Sequence, residues 1–208
     1  MEHKIIVVGI GPGSPDYILP IASRKIAEAK VLVGSQRALD AFAPLGSITR
    51  TIGKDIKEVL DFIREALVKN SVVVMVSGDP GFYSLLAALR SNFSQSKITV
   101  IPGISSMQLA FARMSEVWQD AQLISMHGRQ ASDDNLQYVP NKKLGILTDN
   151  ENNPSHIAQI LLQYGWPVSS QVWLGEALSY EGEKCKRLTL GETTQMAGFA
   201  HCVMVVIG

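Results

Sequence analysis

Residues 5–18 read IIVVGIGPGSPDYI. An unbroken apolar run of this kind is what a strand needs when both faces of a parallel sheet are covered. It ends in a glycine-rich turn, the usual place for a nucleotide in an α/β sheet. Two prolines, Pro12 and Pro15, stand where a dinucleotide-binding turn would pass into its helix.

The pattern repeats outward from this stretch. Residues 18–29 read as a helix, 30–34 (KVLVG) as a strand and 47–52 (SITRTI) as a weaker one. In 54–70 the residues Ile56, Val59, Leu60, Ile63 and Leu67 fall on one helical stripe, with charge on the opposite face. SVVVMVSG (71–78) is the strongest strand signal, followed by a helix over 82–93. KITVIPG (97–103) and SSMQLAFARM (105–114) give one more strand and helix. Successive βα units demand parallel pairing through right-handed crossovers. The first half is therefore a parallel α/β domain.

The pattern breaks at 115–120. Residues 121–129 then read as a strand, 130–141 as polar loop or short helix, and 142–149 and 154–165 as a further strand and helix, with Pro154 suited to a helix start. SQVWLGEAL, KCKRLTLGE and HCVMVVIG follow closely with little helix between them, which favours antiparallel pairing. The expectation is two domains, 1–115 parallel α/β and 116–208 smaller and mixed, with the boundary near 114–120.

Bulk properties narrow the function. The 208 residues are 46% hydrophobic, enough for a real core, and 19 Lys and Arg balance 19 Asp and Glu. A neutral chain lacks the basic excess of a nucleic-acid-binding protein. Two cysteines, Cys185 and Cys202, form no metal-ligand pair and no disulfide framework, so no metal site is expected. The apolar run near the start is too short for a signal peptide or membrane span, and the expected location is cytoplasmic, away from membranes.

The turn itself fails two nucleotide tests. Gly9 and Gly11 fit a dinucleotide fingerprint, but Ser14 takes the third glycine position and AKVLVGSQR offers no ribose-binding acid. GSITRTIGKD has the wrong spacing for a P-loop, with Asp55 where Ser or Thr is required. Prolines also remove backbone donors that a phosphate cradle uses. What strengthens the signal is recurrence: GIGPGSP, SGDPGFY and PGISS each follow a predicted strand, so all three lie at the carboxyl edge of one sheet. Asp79 reads equally as a helix N-cap before Pro80 and as a group facing a ligand.

With these loops in this order, VVGIGPGSPDYI, AKVLVGSQRAL, VSGDPGFYSLLAAL, VIPGISSMQLAFARM, ISMHGR and LTDNENNPSHIAQILLQYG resemble the tetrapyrrole methylase superfamily, and within it the CbiE-like precorrin C5-methyltransferases. The resemblance spans nearly the whole chain and weakens after about residue 179. It implies a two-domain α/β fold with a site in the trough between the domains. It also implies S-adenosyl-L-methionine as methyl donor, S-adenosyl-L-homocysteine as product and a (cobalt-)precorrin of cobalamin biosynthesis as substrate. Carried over by residue, Pro12 touches the cofactor; Ser77, Gly78 and Asp79 line its methionine and ribose portion, with Phe82 packed nearby. Ser105 and Ser106 contact it at a helix start, while Thr148 and Gly175 face the adenosine. Many relatives have glycine where this chain has Ser77. Gly11 and Arg129 fall on the substrate side. The family further implies a homodimer and a separate enzyme for C15 methylation and decarboxylation.

No Ser-His-Asp or paired-carboxylate constellation appears, which fits transfer from a pre-activated donor better than hydrolysis. His127 reads either as a proton acceptor or as a histidine bonded to local backbone. Arg37 and Arg113 read as surface charges or as clamps for the macrocycle's carboxylates. Met107, Met114 and Met126 read as core fillers. The competing readings are a methylase for another ring position or for a protein or ribosomal RNA target, a nicotinamide-dependent reductase, and a silent ligand-binding or assembly module.

Overall fold

The computed structural model describes residues 2–208 and divides into two compact units, one ending at Ser105 and the other beginning at Ser106. The first contains β1 (Ile5–Gly9), α1 (Pro20–Ala27), β2 (Val31–Gly34), α2 (Gln36–Phe42), β3 (Ile48–Thr51), α3 (Ile56–Ala66), β4 (Val72–Val76), α4 (Leu86–Asn92) and β5 (Ile98–Ile101). Its sheet is wholly parallel, in the order β3-β2-β4-β1-β5. Consecutive strand residues point to opposite faces, and both faces are filled. Val7, Val33, Val72 and Val74 pack with Val59, Leu60 and Ile63 of α3 and Leu89 of α4. Val8, Leu32, Val73 and Met75 pack with Ala22 and Ile26 of α1 and Ala38 and Leu39 of α2. This two-sided burial is why β1 and β4 carry unbroken apolar runs.

Two local features differ from the sequence reading. Helix α2 falls where the sequence pattern assigns no element, although Ser35 caps it, its hydroxyl accepting the Ala38 N–H at 3.2 Å. Helix α4 starts at Leu86, later than the expected 82, because residues 77–85 form a run of turns. Asp79 is therefore not the N-cap of a helix.

The second unit contains α5 (Ser106–Met114), β6 (Ala121–Ser125), α6 (Asp133–Leu136), β7 (Lys143–Leu147), α7 (Pro154–Gln163), β8 (Gln171–Glu176), β9 (Lys184–Thr189), α8 (Leu190–Thr193) and β10 (Cys202–Ile207). The sheet order is β6-β7-β10-β8-β9; β6 and β7 run parallel and the other pairs antiparallel. Ile146, Leu174 and Met204 pack with Ile157, Ala158 and Leu161 of α7 on one face. Asn153 caps α7, accepting the His156 N–H at 3.1 Å, and Pro154 occupies its first turn. Helix α5 lies over β7 and β10, with Met107 directly above Gly145. It belongs with this unit, whereas the sequence boundary at 114–120 grouped it with the first. Helix α8 carries a capping box between Thr189 and Glu192. Among the described residues no helix is long and apolar enough to cross a membrane.

Candidate functional site

The three loops singled out in the sequence meet at the carboxyl edge of the first sheet. Strand β1 lies between β4 and β5, so the chain leaving each of them enters the same neighbourhood. A Cβ on Gly9 would stand 2.6 Å from both the Gly103 nitrogen and the Gly78 carbonyl oxygen, and one on Gly103 would stand 2.3 Å from that same carbonyl. Only glycine permits three backbones to approach this closely. Gly11 adopts φ +78°, and its carbonyl accepts the Gly78 N–H at 2.8 Å. Pro12 follows it, half-buried.

Asp79 secures the arrangement. One carboxylate oxygen accepts the Gly81 N–H at 2.7 Å and the other accepts the Gly103 N–H at 3.0 Å. The side chain thus ties the β4 loop to the β5 loop. Ser77 is exposed beside it. Phe82 and Tyr83 pack edge to face, centroids 4.8 Å apart, and Tyr83 holds φ +49°, an uncommon conformation for a non-glycine residue. The Ser84 hydroxyl donates to the Pro80 carbonyl and accepts the Leu86 N–H. A hollow of about 250 Å³ opens here, lined by Ser35, Ile52, Met75, Ser77, Tyr83 and Leu85. Ser105 is buried close to Gly78, while Ser106 is the first residue of α5.

The remaining candidates lie in the second unit. Thr148, buried just past β7, accepts the Cys202 N–H at 2.9 Å and donates to the Ala200 carbonyl. Its hydroxyl is thereby committed to joining β7 to β10. Burial pushes the Cys202 thiol up to about 11, against the opposing hydrogen bond from Thr148. Gly175 lies under the Trp173 ring, which a Cβ would approach to 2.3 Å. Exposed His127 places Nδ1 3.2 Å from the Thr148 carbonyl oxygen, and its ring centroid lies 5.5 Å from that of His201.

Around His127 the structure adds residues to which the sequence reading gave no role. Asp149 accepts the Gly128 N–H at 2.6 Å with one oxygen, and the Glu151 and Asn152 N–H groups with the other. These bonds, that from Gly128 foremost, hold its carboxyl below the usual carboxylate range. The Asn152 side-chain amide donates to the carbonyls of Met126, at 2.7 Å, and Arg129. Both residues stand in the LTDNENN stretch, but only the fold shows what they bind. Arg113 pairs with Glu183 through two bonds, at 2.6 and 3.1 Å, which makes it a structural cation of this unit. A hollow of about 350 Å³ in this unit borders Met114, Gln171, Trp173, Arg187 and Ile207. Gln171 and Ile207 pair at the end of the β8–β10 ladder opposite Glu176 and Cys202, so this hollow is remote from Thr148.

A family model described as Tetrapyrrole (Corrin/Porphyrin) Methylases matches residues 4–194. The chain belongs to the tetrapyrrole methylase family. It is 34% identical over 180 residues to the cobalt-precorrin-7 C(5)-methyltransferase of Salmonella typhimurium, covering 86% of this chain and 88% of that protein. The structure of the cobalamin biosynthesis precorrin-6Y methylase (cbiE) from Archaeoglobus fulgidus superposes with a TM-score of 0.74 at 26% identity, covering 98% of this chain and 97% of that one. Uroporphyrin-III C-methyltransferase from Thermus thermophilus, complexed with S-adenyl homocysteine, superposes with a TM-score of 0.79 at 22% identity, covering 98% and 91%, a likeness of fold. The parallel and mixed five-stranded sheets are those of the tetrapyrrole methylase fold.

Proposed function

We propose that this protein transfers a methyl group from S-adenosylmethionine to C5 of a cobalt-precorrin-7-type macrocycle in cobalamin biosynthesis. The observation that carries the reading is family membership together with 34% identity, over most of both chains, to a methyltransferase named for that reaction. The methyl donor is supported by the related fold that holds S-adenyl homocysteine.

The first unit's residues fit such a ligand. The hollow beside Ser77 combines hydroxyls of Ser35, Ser77 and Tyr83 with the apolar side chains of Ile52, Met75 and Leu85. At about 250 Å³ it falls below the roughly 300 Å³ at which small-ligand pockets begin, so it has room for part of the cofactor. Pro12, Ser77, Gly78, Phe82, Ser105 and Ser106 are assigned to the cofactor in this reading. Asp79 holds the loops and has lone pairs left for a further donor. When bound, S-adenosylmethionine supplies a methyl group already activated by its sulfonium. The protein's task is then to orient the reactants and exclude water. Arg129 is assigned to a substrate carboxylate, where a planar guanidinium bonds in bidentate fashion. His127 is assigned as proton acceptor. Gly11 remains assigned to the substrate side, and Thr148 and Gly175 to the adenosine side. Homodimerisation and a separate C15-methylating enzyme complete the proposal.

Calorimetry with S-adenosylhomocysteine and with NADH, followed by incubation with cobalt-precorrin-7 and S-adenosylmethionine, tests it. Binding of S-adenosylhomocysteine and a mass gain of one methyl group at C5 are expected. NADH binding in the absence of S-adenosylhomocysteine binding would overturn the class. Methylation at another ring position would overturn the C5 assignment alone.

A further inference from the structure

The loop after β6 carries His127 and Arg129; the His127 N–H bonds back to the Ser125 hydroxyl at 3.3 Å, and further anchors come from the end of β7 and the segment that follows it. The Met126 N–H reaches the Leu147 carbonyl at 2.9 Å. The Gly128 N–H reaches Asp149 at 2.6 Å, and the carbonyls of Met126 and Arg129 are both taken by the Asn152 amide. The loop is thus gripped on both sides of His127 by two side chains, Asp149 and Asn152. Asp149 is itself braced by the Glu151 and Asn152 N–H groups, at 2.9 and 2.7 Å.

This grip has a chemical consequence at the histidine ring. The Thr148 atom facing His127 Nδ1 at 3.2 Å is a carbonyl oxygen, which accepts and never donates. Nδ1 must therefore carry the proton. In the neutral ring the lone pair then resides on Nε2. Second-sphere bonds select tautomers in this way wherever one ring nitrogen is pinned. The Thr148 carbonyl is itself well placed to do so, because the Thr148 N–H and hydroxyl are locked to β10. His201, with its ring tilted at 49° to that of His127, and Asp149 are the other titratable groups recorded against this ring.

We propose that Asp149 and Asn152 are positioning residues that clamp the 126–129 loop, so that His127 is held as the Nδ1–H tautomer with Nε2 as its proton-accepting atom. The catalytic part of this inference rests on the reading of His127 as the proton acceptor in methyl transfer; the tautomer part does not.

Long-range ¹H–¹⁵N spectra of protein labelled with ¹⁵N-histidine, assigned with His127→Gln, read the ring directly at a pH where it is neutral. A protonated Nδ1 and an unprotonated Nε2 are expected for His127. In Asp149→Ala and Asn152→Ala, each checked by circular dichroism for a folded chain, the two ring nitrogens should move towards the averaged values of a free histidine. Two variants that remove different bonds to the loop keep the test open should one fail to fold. With cobalt-precorrin-7, kcat should fall roughly tenfold in each, with KM for the macrocycle little changed; His127→Gln should lose roughly a hundredfold. A wild-type ring protonated at Nε2, or an Asp149→Ala ring identical to wild type, overturns the proposal. Wild-type protein that shows the Nδ1–H ring but methylates nothing overturns the proposed reaction and leaves the tautomer assignment standing.

Discussion

Replacing Asp79 separates the two roles read for it from the sequence. Its carboxylate accepts the Gly81 N–H at 2.7 Å and the Gly103 N–H at 3.0 Å, one on each oxygen. Hydrogen bonds to a charged partner contribute about 1.5–3 kcal/mol each. Asp79 is half-buried, so water replaces part of what is lost, and about 3 kcal/mol is expected for Asp79→Ala. For a chain of this length that corresponds to a fall in Tm of roughly 6–12 °C. Asp79→Asn keeps one accepting oxygen and turns an NH₂ towards the second amide, so it should lose about half as much, roughly 1.5 kcal/mol. Thermal unfolding by circular dichroism gives the stabilities, and calorimetry with S-adenosylhomocysteine gives the affinities. Because the Gly103 bond joins the β4 and β5 loops and the Gly81 bond shapes the β4 loop, affinity should fall in the same order as stability. A Tm for Asp79→Ala within about 2 °C of wild type would refute the bridging role. Equal losses for the Ala and Asn variants would refute the two-bond arithmetic. A simple helix cap would give a single loss of about 1 kcal/mol and no change in affinity.

Gly103→Ala should cost about 3 kcal/mol or more, since the new methyl group would lie 2.3 Å from the Gly78 carbonyl, a backbone atom with no side chain to yield; thermal unfolding measures it. Leu161→Ala, at a fully buried α7 position, should cost about 2–5 kcal/mol by chemical denaturation. Arg113 holds the Glu183 carboxyl below its ordinary value of 4.5, with burial opposing. The folded state therefore binds that proton less readily than the unfolded state, and the stability from Glu183 is complete above that ordinary value and lost as pH falls through the folded one. Wild type should be more stable than Glu183→Gln at pH 7, and the gap in Tm should narrow progressively as pH falls below 4.5. A gap that does not change as pH falls from 7 through the acid range would show that the carboxylate charge is not its source.

Local chemistry made much of this fold legible. The unbroken valine and isoleucine runs of β1 and β4 require burial on both faces, and the stripe of α3 requires a sheet beneath it; neither depends on distant residues. The helix start at Pro154 and the late antiparallel strands were readable for the same reason. Short elements were harder. Helix α2 spans only Gln36–Phe42, too few turns for a periodic signal, and its Ser35 cap resembles any loop serine. Residues 77–85 form turns ahead of α4, and Asp79 there divides its carboxylate between the Gly81 N–H of its own loop and the Gly103 N–H of the β5 loop.

From the residues alone came the strand-end loops, the weakness of the dinucleotide reading and the family resemblance. Tertiary structure alone decided what those residues touch. Asp79 reaches Gly103 because β1 threads between β4 and β5. Arg113 meets Glu183, and Asp149 meets Gly128, across long stretches of chain. A residue's type states what bonds it can make, but a partner distant in sequence is set by strand order, which is a property of the whole sheet.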